Sequence, residues 1–319
     1  MKKFFLLFVC CILLVTGCGK KATEETSHPQ KLKVVTTMFA AYDFARAVGG
    51  DKVQVTMLVP PGADIHAFEP TPKDIIGLEQ CDVLVYVGGE SDGWVEKILT
   101  SINNKKMQKI KMLAVVKPVE EEVKKGMTVQ KEAHEQTGKD REDKEYDEHV
   151  WTSPKNAGLI AKALRDTFEA KDSSNKETYE KNYAKFNGQL EELDKQFQKI
   201  VAQGRRKELV FGDRFPLRYF VDAYGLNYYA AFPGCAHNTE ASAATIAFLM
   251  NKVQTDKIPV VFHIELSNEK IAKAICEGTG AQMRQFNTCH NLSKKDFDKG
   301  ITYLDLMKEN LTALKEALN

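Results

Sequence analysis

The sequence lacks a basic or acidic excess, and after its first residues it lacks any hydrophobic run long enough to cross a membrane. Its 45 Lys and Arg residues stand against 44 Asp and Glu residues, which leaves a formal net charge of +1. A nucleic-acid-binding protein normally carries a basic excess or a basic stripe, and neither is found here. These absences exclude a nucleic-acid binder and a membrane-spanning body.

The first residues have the features of a secretion signal. Residues 1–3 are Met-Lys-Lys, and Phe4–Leu14 is an apolar stretch too short to span a bilayer comfortably. The sequence "LVTGC" that ends at Cys18 resembles a bacterial lipobox. We therefore predict a lipoprotein signal peptide over 1–17, a lipidated Cys18, a flexible tether over 18–31, and an extracytoplasmic protein anchored to the membrane of a bacterium. An ordinary secretory signal with a chance cysteine is the alternative.

Cysteines are few in the mature chain, and they lie outside the cytosol, where disulfides persist. Besides Cys18, four remain after removal of the signal: Cys81, Cys235, Cys276 and Cys289. The contexts "FPGCAHN" and "NTCHNLS" are typical of loops, so we predict a disulfide between Cys235 and Cys289. Cys81 and Cys276 fit buried free thiols better.

Strand and helix patterns alternate along the chain, which predicts α/β architecture with parallel sheets. Apolar runs such as "DVLVYVGG" are typical of strands buried on both faces. One alternating series spans 32–172 and a second spans 205–319, which predicts two lobes. Met112–Val116 is predicted as a short strand, and the charged residues 118–148 are predicted to form a mobile surface loop.

A single long helix is predicted over 173–204, between the two lobes. Its aromatic and aliphatic residues recur at steps of three and four from Tyr179 to Ile200, with a capping box predicted at Ser174–Glu177 and a stop at Gly204. The apolar stripe favours a rigid intramolecular connection over a coiled-coil seam.

Metal-ligating residue types follow several predicted strands or mark loop edges. His66 lies in the proline-rich loop "LVPPGADIHAFEPTP", and His149 lies where the chain leaves the charged loop. Asp213, Glu265 and His290 come after strands of the second lobe. Because ligands bind beyond the carboxyl ends of parallel strands, these side chains fit a zinc or manganese site between the lobes. A structural ion pair is an equal alternative for Glu265, and an ion pair with Arg214 competes for Asp213.

The chain resembles the zinc/manganese receptors of bacterial ATP-driven (ABC) metal importers. The stretches "PPGADIHAFEPTP", "VYVGGESDGWVEKI", "DEHVWTSP" and "ITYLDLMKENL" carry the resemblance, which extends over nearly the whole mature chain. It implies a periplasmic-binding-protein-like fold of two α/β lobes joined by one rigid helix. It also implies a monomeric receptor that hands its metal to a membrane permease driven by an ATPase. The family's first two ligands fall on His66 and His149.

The second lobe departs from the pattern of that family. Where other members have a histidine or a glutamate, this chain has "FGDRFPLRYF", and where some have a carboxylate, it has "NTCHNLS". The predicted ligand set is therefore His66, His149, Asp213 and His290, with Glu265 as a substitute. The imidazoles favour zinc, with manganese as the alternative cargo.

Two further functions compete with a receptor. A secreted zinc hydrolase needs an open coordination position and a general base, but no His-Glu-x-x-His motif occurs. After His134-Glu135 the chain has Gly138 where the second histidine should stand. We therefore predict that the protein is not an enzyme. An added role as a surface adhesin stays open.

Overall fold

The chain folds around parallel sheets in the computed structural model, which describes residues 31–65, 68–128, 146–234, 236 and 240–319. The strands of the first sheet are β1 (Leu32–Thr36), β2 (Val53–Met57), β3 (Val83–Tyr86) and β4 (Gln108–Lys111). They pair in the order β2-β1-β3-β4, and each pairing is parallel. The accompanying helices are α1 (Phe39–Gly49), α2 (Pro72–Glu79), α3 (Gly93–Leu99) and α4 (Met112–Val115). All four residues of β3 are buried, as expected for an interior strand covered on both faces.

Two long helices follow the first sheet, and the second of them joins the two lobes. They are α5 (Pro154–Lys171) and α6 (Lys176–Gln203). Helix α6 has 28 residues, which is about 42 Å at 1.5 Å per residue. Its buried side chains include Tyr179, Phe186, Leu190, Leu193 and Phe197, so the predicted apolar stripe is confirmed.

The predicted capping box of the long helix is wrong. The residue before α6 is Asn175, whose side chain makes no capping hydrogen bond, and Ser173–Asn175 forms a separate 3-10 turn. Asp172 instead accepts hydrogen bonds from Ser174 Oγ at 2.5 Å and from Tyr179 Oη at 2.8 Å. The turn is held by the carboxylate of Asp172, two residues earlier in the chain than the predicted capping residue Ser174.

The second lobe repeats the parallel arrangement. Its strands are β5 (Glu208–Phe215), β6 (Asn227–Pro233), β7 (Val260–Ile264) and β8 (Gln282–Phe286). They pair in the order β6-β5-β7-β8, again all parallel. The helices are α7 (Arg218–Tyr224), α8 (Ala243–Thr255), α9 (Lys270–Thr279), α10 (Lys294–Asp298) and α11 (Tyr303–Leu318). Two α/β lobes with parallel sheets and one long joining helix confirm the predicted fold class.

The predicted strand Met112–Val116 is wrong. Met112–Val115 is the short helix α4, and the strand is the preceding segment Gln108–Lys111. That strand lies at the edge of the first sheet, where only one neighbour pairs with it, and its sequence QKIK is therefore largely polar. The apolar residues that follow pack into the core as a helix, with Met112 fully buried.

Val119–Thr128, part of the predicted surface loop, forms no helix or strand but is hydrogen-bonded to the second lobe. We call it the crossing segment because it passes from the first lobe onto the second. The backbone N–H of Thr128 donates to Ala231 O at 2.9 Å, and its hydroxyl lies 2.8 Å from Thr245 Oγ1. Glu122 lies 3.3 Å from Arg218 in an ion pair. The rest of that charged stretch, 129–145, lies outside the described residues.

The helices of the described residues can be tested for a membrane span. None of its helices combines the length and the apolar sequence that a bilayer span requires. The predicted signal peptide and Cys18 lie outside the described residues.

Candidate metal centre

A cleft of about 110 Å³ lies where loops from the two lobes meet. The first lobe contributes Gly62, Ala63, Asp64 and Ile65, which directly precede His66. The second lobe contributes Arg214, Ile264, Glu265, Leu266, Thr288, His290 and Asn291. Every one of these second-lobe residues lies at or beyond the carboxyl end of β5, β7 or β8, the edge at which open parallel sheets bind ligands.

The loops of the two lobes are hydrogen-bonded to each other beside this cleft. The side-chain amide of Asn291 donates to Pro60 O at 2.9 Å and to Ala63 O at 2.7 Å. The backbone N–H of Gly62 donates to Leu292 O at 2.9 Å. The proline-rich loop that leads to His66 is thus fixed directly to the loop that carries His290.

His149 is fully buried and held by a carboxylate from behind. Asp147 Oδ1 accepts the backbone N–H of His149 at 2.8 Å and lies 3.2 Å from its ring nitrogen Nδ1. This contact assigns the ring proton to Nδ1, which leaves Nε2 with a lone pair, and Nε2 is buried without a hydrogen-bond partner among the described residues. A histidine oriented by a carboxylate in this way is typical of metal ligands.

The protonation of His149 reflects two opposing effects. Burial by itself lowers the pKa of the imidazole, since the charged form loses its water. The negative charge and the hydrogen bond of Asp147 act in the other direction and outweigh burial, so the pKa of His149 is raised above its ordinary value. A metal at Nε2 therefore has to compete with a proton that the site itself attracts.

His290 reaches the same place from the second lobe. Its ring centroid lies 5.3 Å from that of His149, with the two ring planes at 90°. Trp151 borders both imidazoles, at 5.5 Å from His149 and 5.1 Å from His290. The indole Nε1 of Trp151 donates to Thr288 O at 2.8 Å and so joins the two lobes next to the histidines.

Glu265 supports the loop that carries His290. Its Oε2 accepts the backbone N–H of Thr288 at 2.7 Å, and its Oε1 accepts the Thr288 hydroxyl at 2.6 Å and the His290 N–H at 3.1 Å. Burial raises the pKa of Glu265, although these hydrogen bonds oppose the rise. The ion pair considered for Glu265 is replaced here by hydrogen bonds to a loop.

Asp213 is not among the residues that line the cleft. Strand β5 continues through a register shift between Phe211 and Arg214, so Asp213 lies within the strand instead of after it. Its carboxylate accepts the N–H of Arg214 at 2.8 Å and that of Ile264 at 3.2 Å. Arg214 is the neighbour that lines the cleft, where its Nη2 lies 3.5 Å from Asp64 Oδ2 of the first lobe.

One predicted ligand and one cysteine of the predicted disulfide lie outside the described residues. His66 and Cys235 are both outside them, while Ile65, the residue before His66, lines the cleft. Cys289 is fully buried and is a free cysteine in the structure, which does not support the predicted bridge to Cys235. The residues described group no three His, Cys, Asp or Glu side chains closely enough to hold a metal.

A glycine makes room for the buried histidine. A Cβ placed on Gly234 would lie 3.3 Å from His149 Cε1 and 3.0 Å from Phe215 O, closer than a side chain normally tolerates. The end of β6 therefore approaches the imidazole with backbone alone. The segment "FPGC" carries this signal in the sequence, but only the fold shows which residue it approaches.

Three supporting residues were missed by sequence reasoning: Asp147, Trp151 and Thr288. Asp147 and Trp151 each stand two positions from His149 in "DEHVW", so their proximity to a ligand was visible. Their roles depend on side-chain direction and on a loop more than 100 residues away, which the local pattern does not contain.

This fold and this cleft define a class of protein, and comparison with known proteins identifies it. The family model described as "ZnuA: Zinc-uptake complex component A periplasmic" matches residues 34–317. The chain belongs to this family.

Individual relatives agree with the assignment. The high-affinity zinc uptake system protein ZnuA of Bacillus subtilis is 32% identical over 99% of this chain and 98% of its own length. The zinc-binding lipoprotein AdcA of Streptococcus pneumoniae is 30% identical, and the match spans 61% of that longer protein. The crystal structure of the metal-dependent lipoprotein YcdH from Bacillus subtilis superposes with a TM-score of 0.75 at 30% identity, covering 90% of this chain and 99% of the other.

Proposed function

We propose that this protein is an extracytoplasmic receptor that captures zinc between its two lobes and delivers it to the permease of an ATP-driven importer. His66, His149 and His290 supply the ligands, and a lipid on Cys18 anchors the receptor to the membrane. The named relatives, a zinc uptake protein and a zinc-binding lipoprotein, support this function. The chain acts as a binding protein, and we expect no hydrolytic turnover.

The distance between two imidazoles carries the proposal. With Zn–N bonds of about 2.0–2.1 Å, two imidazoles on one tetrahedral zinc ion place their ring centroids about 5 Å apart. The centroids of His149 and His290 are 5.3 Å apart, although the two residues come from different lobes. The spacing suits a shared metal ion without a large movement of either ring.

The donor set favours zinc over manganese. Zinc prefers nitrogen and sulfur ligands in a tetrahedral arrangement, whereas manganese prefers more oxygen ligands. Asp213, the carboxylate predicted for this site, holds two backbone N–H groups instead of lining the cleft. A site built on three imidazoles, with a water to complete the set, is therefore a zinc site.

Capture depends on a cleft that is already assembled. Asp147 fixes the tautomer of His149, and the hydrogen bonds between the two loops hold the second imidazole close to the first. Zinc then enters a site whose ligands need little reorganisation, which reduces the entropic cost of binding. We infer that the long helix α6 keeps the lobes close together while the metal is held.

Zinc titration against a chromophoric chelator tests this function. We expect the wild type to bind one zinc ion, and His66→Ala, His149→Ala and His290→Ala each to weaken binding by more than about 100-fold, the upper end of the loss that outer-shell changes cause. His263→Ala is the matched control, because the Nδ1 of His263 lies 3.0 Å from Ile264 O within β7 and the residue does not line the cleft. Wild-type affinity in His149→Ala would contradict the proposal.

A further inference from the structure

Glu265 links two neighbouring strands of the second sheet, and the proposed ligand set assigns it no role. It directly follows β7, an interior strand of the second sheet, and its carboxylate reaches the loop after the neighbouring strand β8. The sequence offered this residue as a substitute ligand. The contacts of its two oxygen atoms point to a different task.

The loop from Thr288 to His290 wraps its polar hydrogens around this carboxylate. Cys289, between them, has a φ of 59°, a left-handed conformation that costs a residue with a side chain about 1–2 kcal/mol. Successive backbone N–H groups in such a turn form a concave site for an anion. Here the N–H groups of Thr288 and His290 both donate to Glu265, at 2.7 and 3.1 Å.

The hydrogen bonds also use most of the capacity of the carboxylate. An ionised carboxylate has about four lone-pair positions. Three of them accept hydrogen from the Thr288 N–H, the Thr288 hydroxyl and the His290 N–H. A metal ion bonded to either oxygen would compete with the hydrogen bonds that this oxygen already accepts from the loop.

We propose that Glu265 is a positioning residue, which binds the loop amides as an internal anion and so holds His290 toward the metal, and that it is not itself a metal ligand. This inference rests on the proposed function, since it takes His290 as a zinc ligand. Glu265 directly follows β7, and the loop it holds brings the ring of His290 to 5.3 Å from that of His149, measured between centroids.

Glu265→Gln is a sharp test, because glutamine has the same shape but cannot make the same bonds. If its NH₂ takes the place of Oε2, it faces the Thr288 N–H. If it takes the place of Oε1, it faces the His290 N–H. Either orientation sets a donor against a backbone donor, so one amide loses its hydrogen bond to residue 265. Glu277→Gln, an exposed carboxylate on α9, is the matched control.

The first measurement needs no metal. Amide hydrogen exchange in the metal-free protein should be faster at Thr288 or His290, whichever amide faces the new NH₂, in Glu265→Gln than in the wild type or in Glu277→Gln. The second measurement is zinc affinity by chelator competition, which should fall about 10- to 100-fold, as it does for other residues that orient a ligand. The third is the visible absorption spectrum with cobalt(II) in place of zinc, which should keep its band positions because the ligands are unchanged.

The outcomes separate the possibilities. Unchanged exchange at both amides, or zinc affinity within twofold of the wild type, would overturn the positioning role, and a changed cobalt spectrum would make Glu265 a ligand. If circular dichroism shows that Glu265→Gln is unfolded, Thr288→Val replaces it. That variant removes one donor to Glu265 and should shift exchange and affinity in the same direction by a smaller amount. A wild type that binds no zinc would refute the proposed function. The exchange measurement would still test whether Glu265 holds the loop amides.

Discussion

Replacing Trp151 by phenylalanine should destabilise the protein and weaken its metal site together. The substitution keeps an aromatic ring beside both histidines but removes the indole N–H that donates to Thr288 O at 2.8 Å. Both residues are buried, so the carbonyl oxygen loses this donor in a place that water does not easily reach. A buried polar group left without its partner costs about 1–3 kcal/mol.

The smaller ring adds a second cost. Trp151 is among the largest fully buried side chains of the described residues, and phenylalanine would leave part of its volume empty. Such a void costs roughly 1 kcal/mol when its surroundings do not collapse. We therefore expect Trp151→Phe to lower the free energy of unfolding by about 2–4 kcal/mol. Zinc affinity should fall about tenfold, because Thr288 also holds the loop of His290.

Trp94 provides the control for this prediction. It is the second of the two tryptophans in the chain, it is partly exposed, and its Nε1 has no hydrogen-bond partner among the described residues. Trp94→Phe should cost less and leave zinc binding unchanged. The assay is urea unfolding of the metal-free variants, followed by far-ultraviolet circular dichroism. The reasoning is refuted if Trp151→Phe lies within about 0.5 kcal/mol of Trp94→Phe, the usual spread for changes that break nothing.

Three further outcomes are expected. In the folded protein, iodoacetamide should label Cys276 faster than Cys289. Burial raises the pKa of the Cys289 thiol well above its ordinary value and blocks the access of the reagent. Peptide mapping that finds Cys289 labelled first, or linked to Cys235, would contradict this prediction. Cys18→Ala should move the protein from the membrane fraction to the soluble fraction or stop its processing, and normal retention would count against a lipid anchor. Zinc affinity should drop as pH falls, and the drop should begin above about 6.5, the ordinary pKa of an imidazole, because the pKa of His149 is raised. An affinity that is flat from pH 7.5 to 5.5 would argue against histidine ligands.

The elements that the sequence predicted best are those whose pattern reflects burial alone. Strand Gln282–Phe286 and the long helix were both placed within a few residues of their observed bounds. The strand at 108–111 was missed because it lies at a sheet edge, where a polar sequence is tolerated and no apolar run marks it. The neighbouring apolar run was free to form a helix.

The residues of the metal site also differ in how far local sequence could predict them. His149 and His290 could be selected from residue type and from their place beyond predicted strands, and the structure brings them together. Asp213 was misplaced because β5 runs past it through a bulge, a feature of pairing that local pattern does not record. The role of Glu265 depends on a left-handed turn 24 residues further along the chain, at Cys289, and sequence alone could not reveal it.

The crossing segment has a consequence for association between copies of the protein. Strand β6 lies at one edge of the second sheet, and an unpaired edge strand is a template for pairing with another chain. The N–H of Thr128 donates to Ala231 O on that strand, and the Tyr228 hydroxyl of the same strand lies 3.4 Å from Glu122 O. The segment thus shields an edge that would otherwise invite aggregation. In the sequence this charged stretch looks dispensable, yet in the fold it supplies a backbone donor to the edge strand β6.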